Sequence, residues 1–403
     1  MKPTLFGYGL TTKSIAKKLG GGCIFFDDKT KELFIDEDNN KIYPSEEFEP
    51  TKSRLEVTTP SLKPNNPLIK KASNLMSEYD FFAKEMPFSI WISGTNGKTT
   101  TTQMLGKLLE KRGGVTGGNI GTPLANLDTN APIWILESSS FTLHHTNIAT
   151  PNIYLLLPIT PDHIDWHGSG AEYEKAKLKP LLTMREGELA LIPKGLTLPK
   201  SDAYIVEYDS IEFLESYFDI DSSKIRFKSA FLQDAILALA ITRVLFDEVD
   251  YDTINSFQLD NHRQEEIRDS KNRLWVNDSK ATNLDATIQA FKGYSDRFIR
   301  LIIGGDDKGA DLTPLFELLS DRDIKLYTIG SNSQRLADLS DRYGIDYTPC
   351  NTLDNAVKII SQEMSQADVA LLSPASASYD QFKSYKHRGD EFIKFVREIK
   401  PHS

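Results

Sequence analysis

Between Ser89 and Leu109 the chain reads SIWISGTNGKTTTTQMLGKLL, an apolar run that breaks into glycines and hydroxyls and resumes as a helix-forming segment. A turn of this composition exposes backbone N–H groups at a helix N-terminus, whose partial positive charge makes it a cradle for phosphate oxygens. Gly94, Thr95, Asn96 and Gly97 form the turn, and the two glycines allow close approach. Lys98 is spaced to reach the β and γ phosphates of a nucleoside triphosphate, and the hydroxyl of Thr99, followed by Thr100, to meet the accompanying magnesium ion. The spacing departs from G-x-x-x-x-G-K-[ST], because Ile92 stands at its first glycine. A polar turn capping a helix is the plainer alternative. The cradle also leaves the chemistry open, since switches, motors, kinases and ligases all share it.

The surrounding pattern is α/β. Residues 2 to 27 give a strand, a helix beginning near Thr12 and a second strand, CIFFDD; a polar, proline-bearing stretch follows, and a helix is expected over Asn74–Glu85 before Pro87. From Phe88 apolar runs alternate with helical segments as far as LQDAILALAITRVLF, and after NHRQEEI the alternation restarts with RLWVNDS, FIRLIIGGDD, IKLYTIG and DVALLSPA. Strands separated by helices imply mostly parallel sheets covered by helices. At 403 residues the chain exceeds a single ordinary core. Three domains are expected, over 1–86, 87–260 and 261–403.

Composition narrows the partners. A net charge of -10 argues against nonspecific nucleic-acid binding. No run approaches the roughly 20 apolar residues of a membrane-spanning helix, and MKPTLFGYGL enters a strand-like pattern directly, so a cytoplasmic chain with no membrane partner is expected. Two distant cysteines, Cys23 and Cys350, read as reduced fillers.

Further strings accompany the loop: GGNIGTPL, ILESSSF, TPDHIDWHGS with YEKAKLKP, NHRQEEI, VNDSKATN, GGDDKGAD and LSPASASYDQFKSYKHRGDEF. In this order they resemble the Mur ligases, ATP-dependent amide-bond-forming enzymes of peptidoglycan precursor synthesis, and the last string resembles their D-glutamate-adding branch. The resemblance implies a short Rossmann-like first domain, a P-loop ATPase-like centre and a Rossmann-like third domain. It implies ATP, two Mg2+ ions, and carbon dioxide held as a lysine carbamate. It also implies UDP-N-acetylmuramoyl-L-alanine and D-glutamate as substrates, acted on by a monomer. Two other readings stand beside it: a P-loop switch or motor, carried by the loop alone, and a folate-type polyglutamate ligase.

Roles follow residue by residue from the resemblance. Glu137 and His163, each after an apolar run, become magnesium ligands together with Thr99; on the residues alone, a solvated carboxylate and a structural histidine serve equally well. Lys177 becomes the carbamylated lysine, although Lys175, Lys177 and Lys179 in one helix ordinarily read as a charged solvent face. Asn119 contacts the growing precursor. Asp278 binds the ribose, Arg263 swings against the nucleotide phosphates, and Lys280 serves the incoming amino acid. Thr282, Lys308, Ser378 and Tyr385 hold the glutamate carboxylates. Leu10, Thr11, Asp27, Asp28 and the TTPS string at 58–61 hold the uridine diphosphate.

Three departures are evident. Phe231 and Asp234 stand where the family has asparagines near the adenine, so adenine contacts are expected to differ. Asp307 replaces a glycine and adds negative charge next to Lys308. Thr12 stands where a third glycine would complete G-x-G-x-x-G, which weakens a dinucleotide-binding reading.

Overall fold

The computed structural model describes residues 2–400; residue 1 and residues 401–403, at the outer ends of the expected first and third domains, lie outside it. The chain forms two compact units, one running through Phe227 and resuming over Phe231–Phe257, the other comprising Lys228–Ala230 and the chain from Gln258 onward.

The first unit contains two sheets. In the first are β1 (Thr4–Phe6), β2 (Ile24–Asp27), β3 (Phe34–Ile35), β4 (Lys41–Pro44), β5 (Glu56–Thr58) and β6 (Leu75–Met76), in the order β3-β4-β2-β1-β5-β6, with only β3 antiparallel. Helices α1 (Leu10–Lys18), α2 (Pro67–Lys71) and α3 (Glu78–Phe82) connect them. Here the sequence reading is corrected twice. Between β2 and the expected helix the chain supplies three further strands, β3, β4 and β5, two of them reaching into or lying in the polar stretch, and the expected helix over Asn74–Glu85 is a strand, β6, followed by the single-turn α3. Strands of two to four residues are too short to display an alternating pattern, and β5 buries Glu56 and Thr58 as fully as Val57.

The second sheet is wholly parallel: β7 (Phe88–Ser93), β8 (Gly114–Gly118), β9 (Ile133–Glu137), β10 (Ile153–Leu156), β11 (Leu189–Pro193) and β12 (Tyr204–Tyr208), ordered β12-β11-β10-β7-β9-β8. Its central strands read as unbroken apolar runs because helices cover both faces. Those helices are α4 (Lys98–Leu109), α5 (Ser140–His145), α6 (Ile164–His167), α7 (Gly170–Leu178), α8 (Ile211–Phe218), α9 (Ser229–Phe246) and α10 (Tyr251–Ser256). Strand β7 is flanked by β9 on one side and β10 on the other, so the loops leaving these three strands open together at the carboxyl edge, where open α/β sheets bind ligands. The sequence reading found no segment apolar enough to span a membrane, yet α9 is long and apolar enough by length and composition alone; half of it is buried, and its interior residues Ala235–Ile241 are core.

In the second unit are β13 (Glu265–Arg268), β14 (Leu274–Asn277), β15 (Ile299–Gly304), β16 (Ile324–Ile329), β17 (Asp346–Asn351) and β18 (Val369–Leu372), ordered β13-β14-β18-β15-β16-β17, with antiparallel β13 at one edge. Helices α11 (Leu284–Gly293), α12 (Thr313–Leu319), α13 (Ser333–Tyr343), α14 (Leu353–Glu363) and α15 (Tyr385–Arg397) cover it. Cys23 and Cys350 are both free and buried, and burial raises each thiol, Cys350 to about 11.

Within the first unit, Asp80 fastens the first sheet's last helix to the second sheet. Its carboxylate accepts the N–H groups of Asn147, Ile148 and Ala149, each at 2.8 Å, in the turn leading into β10. Asp80→Ala leaves three donors without their acceptor and is expected to cost on the order of 3 kcal/mol, read as a lower urea midpoint at unchanged slope.

Candidate active site

The phosphate-type loop leaves β7 under steric constraint. Gly94 has φ +139°, and a Cβ there would lie 2.5 Å from the Leu157 Cβ; Gly97 has φ +82°, and a Cβ would lie 2.5 Å from Asp234 Oδ1. Both positions therefore require glycine. Asp234 thus lies against the loop itself, on a buried face of α9. The Thr95 side chain is committed to holding the loop: its hydroxyl donates to the Thr160 carbonyl at 2.9 Å, accepts the Thr160 N–H at 2.9 Å, and meets the Tyr173 hydroxyl at 3.1 Å. The Thr95 N–H is likewise engaged, donating to the Pro158 carbonyl at 3.1 Å. Lys98 donates to the carbonyls of Gly94 and Thr95 at 2.9 and 2.7 Å. Asn96 and Thr99 are partly accessible at the helix start, and Thr100 is buried with a hydroxyl that has no hydrogen-bond partner.

Around this loop the structure gathers Glu137, His163 and Lys177. Lys177 is 1% exposed, whereas the Lys175 side chain is 77% exposed, so only one of the neighbouring lysines on α7 faces inward. Its Nζ donates to Gly94 O at 2.7 Å and to Ser93 Oγ at 3.3 Å. Burial, aided by the Lys98 charge and opposed by Asp162 and Glu137, holds the amine well below the usual lysine range. Glu137 ends β9 and is 2% exposed; Oε1 accepts Asn119 Nδ2 at 2.6 Å, while Oε2 is buried with no hydrogen-bond partner. His163 starts α6 in a left-handed conformation, φ +51°, with Asp162 Oδ2 at 3.6 Å from Nε2. Partial burial lowers its imidazole; Asp162 resists, and the charges of Lys98 and Lys177 add to the lowering.

Among the described residues no three His, Cys, Asp or Glu side chains form a metal cage. A magnesium ion bound with a triphosphate needs only one or two protein oxygens and keeps phosphates and waters as its other ligands. The orphaned Oε2 of Glu137 and the Thr99 hydroxyl fit that requirement.

A second opening of about 160 Å³ brings Leu10 and Thr11 from α1, Pro60 after β5, and Asn119 and Gly121 after β8 onto one wall. Leu10 and Thr11 were expected at the uridine diphosphate, and Asn119 at the growing precursor. Asp27 and Asp28 are not on this wall: Asp27 accepts the N–H groups of Tyr8 and Lys29, both at 2.9 Å, and Asp28 accepts Asn66 Nδ2 at 2.7 Å. Thr12 uses its hydroxyl to donate to the Gly7 carbonyl at 2.5 Å, a local bond that a glycine there would lack.

The same wall contains Glu78, which lay within the helix expected over Asn74–Glu85 and was given no role there. Burial pushes its carboxyl up to about 7, only partly offset by the backbone N–H groups of Ala125 and Leu124.

The second unit holds its own cluster. Asp278, fully buried after β14, accepts Ser373 Oγ at 2.8 Å and Gln264 N–H at 3.3 Å. Burial, opposed by those bonds and the Arg263 charge, pushes it up to about 7. Arg263 sits between His262 and Gln264, whose φ values are +65° and +46°, and lies 3.9 Å from Asp260. Lys280 Nζ donates to the Tyr385 hydroxyl at 3.3 Å, and Thr282 follows in a tight turn, its N–H on the Lys280 carbonyl at 2.8 Å. A backbone bridge between Asp306 and Ala377 brings the Lys308 loop beside Ser378.

Arg388 was not foreseen. It is 1% exposed and donates to Ser279 Oγ, Ser279 O and Ser376 O, joining the DSKATN and SPASAS segments. Asp307 corrects an expectation: it is no unbalanced charge beside Lys308, because Arg335 Nη1 lies 2.8 Å from its Oδ2.

Comparison with known proteins bears on this arrangement. A family model described as Mur ligase middle domain matches residues 92–198. A UDP-N-acetylmuramoylalanine--D-glutamate ligase from Campylobacter jejuni is 48% identical over 402 residues, covering 99% of this chain and 100% of the relative. The chain belongs to the Mur ligase family. A Helicobacter pylori protein of the same description is 43% identical over 98% of the chain and 99% of its own length. Solved Mur ligases share the fold: the MurF ligase from Thermotoga maritima, in complex with ADP, superimposes with a TM-score of 0.59 at 14% identity, covering 98% of each chain. The MurC ligase from the same organism gives 0.53 at 16% identity over 98% of each.

Gly97→Ala drives a methyl into Asp234 and is expected to weaken ADP binding at least roughly tenfold, by calorimetry, with the far-ultraviolet spectrum unchanged. The folded-state pKa of Glu78 is raised, so its contribution is fully present below about pH 4.5 and is lost as pH rises through about 7. Glu78→Gln is therefore expected to gain on wild type in melting temperature between pH 5 and pH 8.

Proposed function

We propose that the chain joins D-glutamate to UDP-N-acetylmuramoyl-L-alanine, with ATP cleaved to ADP and phosphate. The observation that carries this reading is Lys177, buried against the Gly94 carbonyl beside Lys98 and Glu137. A solvent-face lysine has no reason to be there, whereas a lysine that must lose its proton to take up carbon dioxide does. The relatives described above, matched end to end, are named for this reaction, which favours it over folate polyglutamylation or a switch.

In this reading residues 1–86 hold the uridine nucleotide, with Leu10, Thr11 and Asn119 along the precursor and Asp27 and Asp28 at the end of β2. Residues 87–260 hold ATP through Gly94–Thr100 and Asp234. Residues 261–403 supply Arg263 and Asp278 to the nucleotide and Lys280, Thr282, Lys308, Ser378 and Tyr385 to D-glutamate. The precursor's terminal carboxylate attacks the γ phosphorus, and the bond from that phosphorus to the β–γ bridging oxygen breaks. The resulting acyl phosphate is attacked by the glutamate amine, which loses its proton as phosphate departs and an amide forms. Lys98 offsets the charge that gathers on the β and γ oxygens. Thr99, Glu137, His163 and carbamylated Lys177 would hold magnesium, which supplies Lewis-acid neutralisation of the phosphates. The chain acts as a cytoplasmic monomer.

Phosphate release from ATP is expected only when both UDP-N-acetylmuramoyl-L-alanine and D-glutamate are present; release with neither would support a switch instead. Oxygen-18 in the precursor carboxylate is expected to appear in the phosphate released. Lys98→Ala is expected to abolish turnover. Lys177→Ala is expected to lose at least about 100-fold and to recover partly in a short carboxylic acid, and full activity without one would remove the carbamate from the scheme.

A further inference from the structure

Asp307 stands in the loop after β15 where the family pattern has glycine, and its side chain is built into the structure. Oδ1 accepts the Gly309 N–H at 2.9 Å, and Oδ2 accepts Asn332 Nδ2 at 2.9 Å and Arg335 Nη1 at 2.8 Å. Arg335 carries on through Nη2 to the Ala310 carbonyl at 2.7 Å, so one guanidinium holds both the carboxylate and the far side of the loop. Asn332 holds the near side, accepting the Gly305 N–H at 3.0 Å. Between these ties lies Lys308, exposed and left-handed with φ +50°. The Asp307 side chain is only 10% exposed, while that of Arg335 is 41% exposed. Burial raises the Asp307 carboxyl, but the Asn332 and Gly309 bonds and the Arg335 charge outweigh it and keep it ionised below the usual carboxylate range.

An exposed ion pair contributes little, but a nearly buried carboxylate stripped of its counter-charge is costly and leaves a net negative field at its neighbours. That field matters for a dianionic amino acid. We propose that Asp307 and Arg335 form a positioning pair for the amino-acid substrate: Arg335 cancels the Asp307 charge, so that Asp307 does not offset the cation that Lys308 presents to a glutamate carboxylate beside Ser378. The proposal rests on the reading of Lys308 as a glutamate contact and adds a residue from α13 to that site. The Asp307 charge is then tolerated at this site because Arg335 accompanies it.

The test is steady-state kinetics on the full chain with four variants. Lys308→Ala checks the underlying reading, and a KM for D-glutamate unchanged there overturns both that reading and the proposal. With Lys308→Ala impaired, Arg335→Ala is expected to raise the KM for D-glutamate roughly fivefold while kcat and the KM for ATP stay within about twofold. Asp307→Gly combined with Arg335→Ala is expected to return the KM for D-glutamate to within about twofold of wild type, because the charge needing cancellation has gone. Asp307→Gly alone is expected to leave that KM at or below the wild-type value. An Arg335→Ala enzyme with unchanged KM for D-glutamate, or a double variant no better than Arg335→Ala, overturns the proposal while leaving the ligase reading standing.

Discussion

The Gly94 carbonyl accepts hydrogen bonds from both Lys98 and Lys177, and the architecture of the central site depends on that shared acceptor. Gly94 has no side chain, and Leu157 fills the space where a Cβ would be. Near-complete burial and the nearby Lys98 charge together disfavour a proton on Lys177, so the glycine-rich loop stands beside an amine biased toward its neutral form. Glu137 and Asp162 restrain that effect without cancelling it. The parallel order of β9, β7 and β10 makes the arrangement possible, since it aims three loop-bearing strand ends the same way.

Much of this was legible in the sequence, for physical reasons. Central strands such as PIWIL and NIYLLLP are apolar on both faces and announce a covered parallel sheet. The glycines of the loop announce left-handed backbone. What was hidden depends on long-range packing. Nothing in EYEKAKLKP distinguishes Lys177 from Lys175; only resemblance singled it out, and the burial is visible only in three dimensions. The first sheet was underread because its strands are short and bury polar residues such as Glu56. Asp307 looked like a liability because its partner Arg335 is 28 positions away.

Glu78 and Arg388 illustrate a second class of omission. Both are ionisable residues to which the sequence assigned no role, although Arg388 lies inside the quoted C-terminal string, and each organises backbone around a site: Glu78 receives the start of the Leu124–Asn126 turn, and Arg388 binds two carbonyls and a hydroxyl. Their roles are hard to read from sequence because their partners are largely main chain, and main chain has no sequence signature.

The two cysteines have a practical corollary. Both sulfurs are enclosed and kept as thiols by their surroundings, which withholds the thiolate that alkylating reagents require. The native fold therefore offers a silent background for maleimide chemistry, and a dye on one introduced surface sulfur reports from that single address.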